Sequence, residues 1–367
     1  MAVYKIFPDR DATLYSAFPI TNTGDDAILE VSNTFPSINP SPRVSRAIID
    51  FQGSQILNIW NNHLKTLADS QWTAHLRLFA AEVSGINQNT TIEVGLISGS
   101  FDNGTGQYND SPKSTNGVSW DFKYYSGSGA WVTPGGDIRD TTSSYGPVTQ
   151  SFDRRTVQDL NVDVKQLVEI ILGEDNLVIY GNLIATGEDS FIIKLIDTQE
   201  FISGSANQPD FKFFSVDTNT IYPPQLEFRW DDFAYETGSL APITTSDLEI
   251  ALDSNPGVFY SESINRFRLN VRPDFPVRTY QTSSIYTTNH YLPTASYYAI
   301  KDLDTNEFIV DFDPKYTKVS CDSTGNYFDL YMNGLQPERY YKILLQTTVS
   351  GSTLVKDEDY IFKVING

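Results

Sequence analysis

Side chains able to carry out nucleophilic or acid-base chemistry are few in this sequence. Three histidines, His63, His75 and His290, and a single cysteine, Cys321, occur among 367 residues. No two histidines have the helical spacing that binds zinc, and no Gly-x-Ser-x-Gly turn is present to expose a nucleophilic serine. Cys321 precedes Asp322, whose negative charge raises a thiol pKa, so a structural cysteine is expected. These residues predict a protein that is not an enzyme.

Carboxylates are abundant, but their spacing defines neither a glycosidase pair nor a metal site. Segment 302–306 imitates the opening of a calcium loop, yet Glu307 stands where that loop needs glycine. A hairpin turn between two strands is the favoured interpretation. Acidic residues that could supply calcium ligands at a sheet edge are Asp9, Asp11, Asp25 and Asp26. A solvated acidic edge explains them more simply, and we predict no resident metal or cofactor.

One aromatic group is a candidate binding site: Trp120, Tyr124, Tyr125 and Trp131. Flat rings on a loop can stack on sugars or anchor a protein interface. Alternatively, both tryptophans are buried and hold the segment against a sheet. The second interpretation is favoured, and the first remains open.

The charge balance limits the kinds of partner. The chain has 26 Lys and Arg against 46 Asp and Glu, a net charge of −20. Phosphate binding depends on cationic contacts, so a nucleic-acid partner is excluded. No apolar run approaches the roughly 18 residues of a membrane-spanning helix, and no membrane insertion is expected. The first residues show no secretory signal, and one cysteine cannot form an intrachain disulfide, so synthesis in a reducing cytoplasm is expected.

The elements that must position these residues are mainly β-strands. Strands are predicted over 3–8, 11–17, 27–33, 43–52, 73–84, 90–101, 177–185, 191–197, 210–217 and 225–231. Helices are predicted over 55–67, and over 163–173 with Asp163 as its cap and Gly173 as its end. Segment 102–160 is rich in Gly, Ser and Asn, with almost no strand signal. We therefore expect a jelly-roll or β-sandwich over residues 1–236, with 102–160 as a long excursion.

A second domain is predicted over residues 237–367. Strands are expected at 247–252, 264–271, 297–302, 307–312, 327–333, 340–349 and 359–365, which suits an immunoglobulin-like or fibronectin III-like sandwich. Leu335, Pro337 and Tyr341 have the Leu-x-Pro-x-x-x-Tyr spacing that resembles the tyrosine corner of fibronectin type III domains. The resemblance implies that the Tyr341 hydroxyl bonds to upstream backbone.

Residues 1 to about 232 resemble the DNRLRE module, a β-sandwich of carbohydrate-binding-module type. The specific blocks are Gly104–Asp110, Asn116–Trp120 and Trp131–Asp137; weaker ones are Asp11–Leu14, Ser45–Phe51, Leu76–Leu78, Val162–Leu172 and Pro223–Leu226. The predicted helix over 56–67 departs from that pattern. The resemblance implies a sandwich usually found in secreted or surface proteins.

The C-terminal half resembles virion structural proteins of marine, T-even-like contractile-tailed phages. The matching segments are Arg268–Pro273, Ser296–Asp302, Gly325–Asp329 and Met332–Tyr341. This resemblance implies location in the virion after synthesis in the host cytoplasm. It also implies contacts with other tail, baseplate or neck proteins. A surface-type sandwich without a signal peptide fits a phage component released by lysis.

The sequence thus predicts a non-enzymatic phage virion structural protein of the tail, baseplate or neck. Two alternatives remain open: a carbohydrate-binding host-adhesion module that recognises cell-surface glycan, and a capsid decoration protein. No heptad pattern is present, so no coiled coil is expected.

Overall fold

Short strands joined by turns make up most of the chain. The computed structural model describes residues 2–35, 42–86, 89–125, 127–139, 146–173, 190–201, 208–276 and 288–367. Within these ranges no helix has the length and apolar character needed to cross a membrane. The predicted mainly β fold class is confirmed.

Twelve strands are described before residue 231. They are β1 (Ala2–Ile6), β2 (Arg10–Tyr15), β3 (Ile28–Thr34), β4 (Arg43–Asp50), β5 (Trp72–Leu78), β6 (Ala80–Ser84), β7 (Thr90–Ile97), β8 (Val148–Phe152), β9 (Leu160–Asp163), β10 (Ser190–Leu195), β11 (Asp210–Phe214) and β12 (Gln225–Trp230). The helical elements are α1 (Gly53–Ile59), a π-helical turn (Trp60–Leu64), a 3-10 turn (Asp69–Gln71), α2 (Lys165–Leu172) and α3 (Asp197–Glu200).

Eleven further strands are described after residue 240. They are β13 (Ala241–Pro242), β14 (Leu248–Leu252), β15 (Val258–Tyr260), β16 (Ile264–Pro273), β17 (His290–Tyr291), β18 (Ser296–Asp302), β19 (Phe308–Val310), β20 (Ser320–Asp322), β21 (Gly325–Tyr331), β22 (Tyr340–Val349) and β23 (Ser352–Ile365). A 3-10 turn covers Met332–Gly334.

An eight-stranded sheet has the order β6-β11-β3-β4-β10-β7-β8, with β2 paired to β4. All of these strand pairs are antiparallel. The sheet is curled, because Phe152 on edge strand β8 contacts Phe211 on β11 with ring centroids 5.0 Å apart. A second sheet has the order β1-β12-β5-β9. Curled antiparallel sheets of this kind are the sandwich-like arrangement predicted for the first part of the chain.

The chain folds into two compact units. The N-terminal unit contains Ile6–Leu67 and Thr73–Glu227; the C-terminal unit contains Met1–Lys5, Ala68–Trp72 and Phe228–Gly367. The predicted boundary between residues 236 and 237 falls inside the C-terminal unit. Two short segments from the first part of the sequence belong to that unit, and their local pattern does not distinguish them from their neighbours.

Helix α2 is amphipathic. Its buried face includes Leu167 and Val168. Gly173 has φ +71° and ends the helix in the left-handed region, where glycine has no Cβ to clash. The prediction of Asp163 as the cap is wrong, because the N-cap residue is Val164, which makes no side-chain cap bond. Asp163 lies one residue earlier, and its carboxylate accepts the backbone N–H of Lys165 at 2.9 Å.

Two expectations about strands are wrong. The segment 73–84 forms two strands, because the chain bends at Phe79 and passes from the second sheet to the eight-stranded sheet. Strands β8 and β9 lie at the end of the segment 102–160, which shows almost no strand signal. In β9 exposed residues alternate with buried ones, and in β8 they alternate with half-buried ones as far as the buried Phe152, which suffices for a strand with one solvated face. The predicted strand over 177–185 lies outside the described residues.

The C-terminal unit is a two-sheet sandwich. Its sheets have the orders β14-β16-β21-β20 and β15-β23-β22-β18-β19, with a small parallel pair β13–β17. Tyr298 on β18 stacks on Phe328 on β21 at 4.3 Å between ring centroids, and Phe267 on β16 stacks on Phe328 at 5.2 Å. Aromatic rings from both sheets therefore meet in one core.

The acidic segment that begins at Asp302 is the predicted hairpin turn, between β18 and β19. Asp302 accepts the backbone N–H groups of Asp304 and Thr305 at 3.0 and 2.9 Å. The Arg339 guanidinium forms two further bonds to the Asp302 carboxylate, at 2.7 and 2.8 Å. These bonds to the charged form lower the pKa of Asp302 although its burial acts in the opposite direction.

The residues of the tyrosine-corner pattern fix a loop of the C-terminal unit. The Tyr341 side chain is buried, and its hydroxyl donates to the Gln336 carbonyl at 2.9 Å. Leu335 is buried beside it in the core, and Pro337 follows Gln336 in the loop. This upstream backbone bond is the one that the sequence resemblance implies.

Replacing Tyr341 with Phe is expected to lower the free energy of unfolding by about 1–2 kcal/mol, because the Gln336 carbonyl loses its donor. Urea denaturation of the purified chain measures this difference. The neighbouring Tyr340 is exposed, so Tyr340→Phe is the matched control and is expected to change little. Equal stability of wild type and Tyr341→Phe would contradict the assigned role.

Candidate functional site

The candidate site lies on a long excursion of the N-terminal unit, which we define as residues 98–139. It leaves strand β7 and returns to it. The Ser98 N–H donates to the Asp137 carbonyl at 3.1 Å, and the Arg139 N–H donates to the Leu96 carbonyl at 2.8 Å. The excursion is therefore closed at its base by backbone bonds to the edge of a strand.

Both predicted tryptophans are buried. Trp120 is 9% exposed and Trp131 is 5% exposed. They belong to a core cluster with Ala12, Leu14, Val44, Ile48, Ile97, Phe101, Val118 and Ile192. The Trp131 indole N–H donates to the Ser119 carbonyl at 2.9 Å, which satisfies its polar atom. Their rings hold the excursion on the sheet, in line with the interpretation that the sequence favours.

A buried ion pair joins the sheet to the excursion. The Arg46 guanidinium on β4 bonds both carboxylate oxygens of Glu200 on α3, at 2.6 and 2.8 Å. The third guanidinium nitrogen of Arg46, Nη1, donates to the Gly135 carbonyl at 2.8 Å. The central guanidinium carbon, Cζ, lies 4.9 Å from the Trp120 ring centroid. Sequence reasoning missed this pair. The one feature of the sequence that could have indicated it is the charged Arg46 within the largely apolar predicted strand 43–52.

Asn22 anchors the glycine-rich start of the excursion. Its amide donates to the carbonyls of Asn103 and Val118 at 2.6 and 2.9 Å, and its carbonyl oxygen accepts the Gly106 N–H at 2.8 Å. A Cβ added at Gly104 would lie 2.3 Å from that oxygen, and one at Gly106 would lie 2.4 Å from the Asn22 backbone oxygen. The Gly-Thr-Gly motif therefore permits close approach of two backbones.

Three tyrosines on the excursion are exposed, and we call them the exposed tyrosines: Tyr108, Tyr124 and Tyr125. Tyr125 is 57% exposed and Tyr124 is 37% exposed. The Tyr124 ring lies against the Gly129 backbone, where a Cβ would come within 2.0 Å of the ring. Tyr108 packs on Tyr15 and Phe18, with ring centroids 4.9 and 5.9 Å apart.

The acidic residues considered for calcium act mainly as acceptors within the fold. Asp11 is buried and accepts the Ser215 hydroxyl and the Val216 N–H at 2.9 and 2.8 Å. Asp26 accepts the Tyr108 N–H at 2.9 Å. Over the described part of the chain, no group of three or more His, Cys, Asp or Glu side chains is placed to hold a metal ion.

The three histidines and Cys321 lie in different parts of the fold. Burial lowers the pKa of His63 on the π-helical turn. His75 lies 3.2 Å from the Asn161 side-chain oxygen, and His290 lies 3.3 Å from the Val271 carbonyl. Burial raises the pKa of the Cys321 thiol to about 11, and the Asp322 charge adds to this shift. A thiol with this pKa is a poor nucleophile at neutral pH.

A cavity of about 310 Å³ lies elsewhere on the N-terminal unit. Its walls are formed by Val83, Ser84, Gly85, Ile86, Arg154 and Gln158. The Arg154 side chain crosses between the two sides and donates to the Ile86 carbonyl at 2.7 Å. Among the residues that the structure describes, no aromatic side chain lines this cavity.

The comparisons with known proteins assign no family. No family model and no curated protein matches the chain. A DUF4785 family protein from Legionella pneumophila matches at 9% identity and a TM-score of 0.18, over 100% of this chain and 62% of that one. A β-glucuronidase from Parabacteroides merdae matches at 7% identity and a TM-score of 0.19, over 96% of this chain and 36% of that one. The chain spans less than two thirds of both proteins, and TM-scores this low support no conclusion.

Replacing Trp120 with Ala is expected to lower the free energy of unfolding by about 3–5 kcal/mol, because a large buried ring leaves a cavity. Tyr125→Ala, on the same excursion, is expected to change stability by no more than about 0.5 kcal/mol. Thermal and urea denaturation measure both. Similar losses in the two variants would show that the exposed ring also packs inside the fold.

Glu200→Gln is expected to cost about 3–5 kcal/mol, because it leaves the buried Arg46 charge without its counterion. The matched control is Glu82→Gln, which breaks the exposed Lys212–Glu82 pair and is expected to change stability by less than about 1 kcal/mol. Denaturation curves of both variants decide the comparison. A small effect at Glu200 would contradict the anchoring role of the pair.

Proposed function

We propose that this chain is a non-enzymatic structural protein of a phage virion, built into the tail, baseplate or neck through contacts of the excursion with neighbouring proteins. The virion location derives from the sequence resemblance of the C-terminal half. The mode of attachment derives from the excursion itself, whose tryptophans point inward while its tyrosines remain exposed.

The observation that carries the proposal is the fixed position of the exposed tyrosines. The excursion is tied at its base, at Asn22 and at the Arg46–Glu200 pair. A surface that is ordered before binding loses little conformational entropy on association. Tyrosine offers an apolar ring and a polar hydroxyl, and for this reason it is enriched at protein interfaces.

The net charge fits recruitment to a preformed platform. At −20, free copies of the chain repel one another, whereas a less acidic partner would attract them. We therefore expect the isolated chain to be monomeric or weakly associated. Ordered copies would form only on the particle.

Glycan binding is the second candidate function, and the exposed rings of Tyr124 and Tyr125 favour it. In that case the rings would stack on sugar units of the host surface. The buried tryptophans contribute nothing to such a platform in this conformation. Capsid decoration differs from the main proposal only in the location of the partner on the virion.

The test is incorporation of the chain into virions purified from infected cells. Wild-type chain should be present at a fixed copy number relative to the major tail protein, as quantified by mass spectrometry. The variant Tyr124→Ser/Tyr125→Ser should be incorporated at least about tenfold less, because two interface anchors are lost, with an unchanged melting temperature. The control is Tyr260→Ser, in the C-terminal unit, where the side chain is 59% exposed.

Absence of the wild-type chain from virions would overturn the proposal. Normal incorporation of the double variant would assign attachment to another surface. If that variant also lost binding to host polysaccharide on a glycan array, the glycan-binding function would replace the interface at the exposed tyrosines.

A further inference from the structure

The start of β23, residues 352–356, is an edge of the five-stranded sheet in the C-terminal unit, and we call it the open edge. It pairs with β22 on one side, whereas β15 joins β23 further along, between Lys363 and Ile365. Among the residues that the structure describes, no strand pairs with the other side of the open edge. Thr353 and Val355 are exposed there, Val355 by 56%. A sheet edge of this kind is a template for pairing with another extended chain.

The hairpin that carries the open edge closes with a two-residue turn. Ser350 and Gly351 have φ of +50° and +82°, and a type I′ turn needs positive φ at both positions. The two residues that flank such a turn form a hydrogen-bonded pair, and in an antiparallel ladder these pairs alternate with non-hydrogen-bonded ones. The next pair, Thr348 and Thr353, is therefore non-hydrogen-bonded.

Two observations support this register. The Thr348 N–H donates to the Ala295 carbonyl at 3.1 Å, so it points toward β18 and away from β23. The Thr348 and Thr353 hydroxyls are 3.0 Å apart, as expected of a close, non-hydrogen-bonded pair. Two residues further on, Val355 has the same relation to Gln346. The N–H and C=O groups of Thr353 and Val355 therefore point to the open side of the sheet.

Side-chain bonds to backbone outside the hairpin hold the open edge on both sides. The Ser350 hydroxyl donates to the Thr244 carbonyl at 2.9 Å, and the Tyr360 hydroxyl donates to the Ile250 carbonyl at 3.0 Å. Between these bonds, Leu354 is half-buried and packs against the core of the unit. An added strand would cover Leu354, and the open edge would lose little conformational entropy because it is already ordered.

Four other edge strands of the C-terminal unit are short or covered. Strands β15, β19 and β20 have three residues each. On β14, the Ile250 carbonyl accepts the Tyr360 hydroxyl. Shortness and cover are two ways in which proteins prevent pairing at a sheet edge. Neither applies to residues 352–356.

An acidic bulge ends the open edge. The register between β22 and β23 shifts at Asp357, Glu358 and Asp359, which are exposed. Asp357 and Asp359 bond to the Lys342 ammonium at 2.7 and 2.8 Å. Three carboxylates against Lys342 and Lys356 leave an excess of negative charge. The bulge therefore limits an added strand to the open edge and favours a basic residue at its end.

We infer that the open edge binds an extended segment of a neighbouring, less acidic protein by strand addition. The segment would carry β-branched residues, an apolar side chain beside Leu354 and a basic residue beside the acidic bulge. A second copy of this chain fits less well, because each copy carries a net charge of −20. That the neighbour belongs to a virion rests on the proposed function, whereas the strand addition does not.

Binding of a synthetic peptide to the purified chain tests the inference. The probe alternates threonine and valine, ends in lysines and carries a fluorescent label whose anisotropy reports binding. Wild type should bind it saturably. Val355→Pro removes an outward N–H and should bind at least about tenfold more weakly. The matched control Val355→Thr keeps this N–H and a β-branched side chain, so it should bind like wild type. Both variants should keep the wild-type melting temperature.

Should Val355→Pro fail to fold, two N-methylated forms of the probe are compared on the wild-type chain. Methyl groups on the threonine nitrogens and methyl groups on the valine nitrogens remove alternate sets of N–H donors, and one set faces the open edge. One form should therefore bind about tenfold more weakly than the other. Equal binding of the two forms would contradict strand addition. So would failure of the wild-type chain to bind the probe, or full binding by a folded Val355→Pro.

Two further outcomes concern the occupant. Tighter binding of a probe that ends in glutamates would overturn the basic partner. Sedimentation at increasing concentration tests a second copy, since self-association of wild type that is lost in Val355→Pro would replace the neighbouring protein with another copy of this chain. All of these measurements use the free chain. Absence of the chain from virions would therefore overturn the proposed function without affecting this inference.

Discussion

The contact between Arg46 and Glu200 is the interaction on which the candidate surface depends. Glu200 is fully buried and the Arg46 side chain is 8% exposed, so each charge is stable in the fold only while the other is in place. The guanidinium geometry also directs its third contact, to the Gly135 carbonyl, and places its plane near the Trp120 ring. One side chain therefore sets the spacing between the sheet and the returning arm of the excursion. The two bonds to Glu200, the bond to the Gly135 carbonyl and the contact with the Trp120 ring together offset the loss of hydration of the buried Arg46 charge.

On the excursion the tryptophans are buried, whereas the tyrosines are exposed. Trp131 has its indole N–H bonded to a nearby carbonyl, and Trp120 packs beneath Arg46, so both bury large apolar rings inside the unit. Tyr124 and Tyr125 keep their rings at the surface. Glycines at 104 and 106 bring the backbone close to Asn22, which replaces the missing strand hydrogen bonds in this irregular segment.

Carboxylates serve two different purposes in this acidic chain. Many are exposed and contribute to the net charge that limits self-association. A few accept backbone N–H groups at turns, as Asp302 and Asp26 do, or in the interior, as Asp11 does. Burial raises the pKa of Asp11 to about 7, whereas the hydrogen bonds from Arg339 and Thr305 lower the pKa of Asp302 against the effect of its burial.

Local patterns sufficed to predict the mainly β architecture, the end of α2 at Gly173 and the turn at Asp302, because hydrophobic periodicity and turn chemistry act over a few residues. The burial of Trp120 and the exposure of Tyr125 depend on the packing of the whole unit, since both residues occur in the same Gly-rich segment with no periodicity. The pairing of Arg46 with Glu200 and the loop facing Asp11 were likewise beyond the sequence. Residues so far apart in the chain come into contact only when the sheets have formed, so local sequence patterns do not predict their contacts.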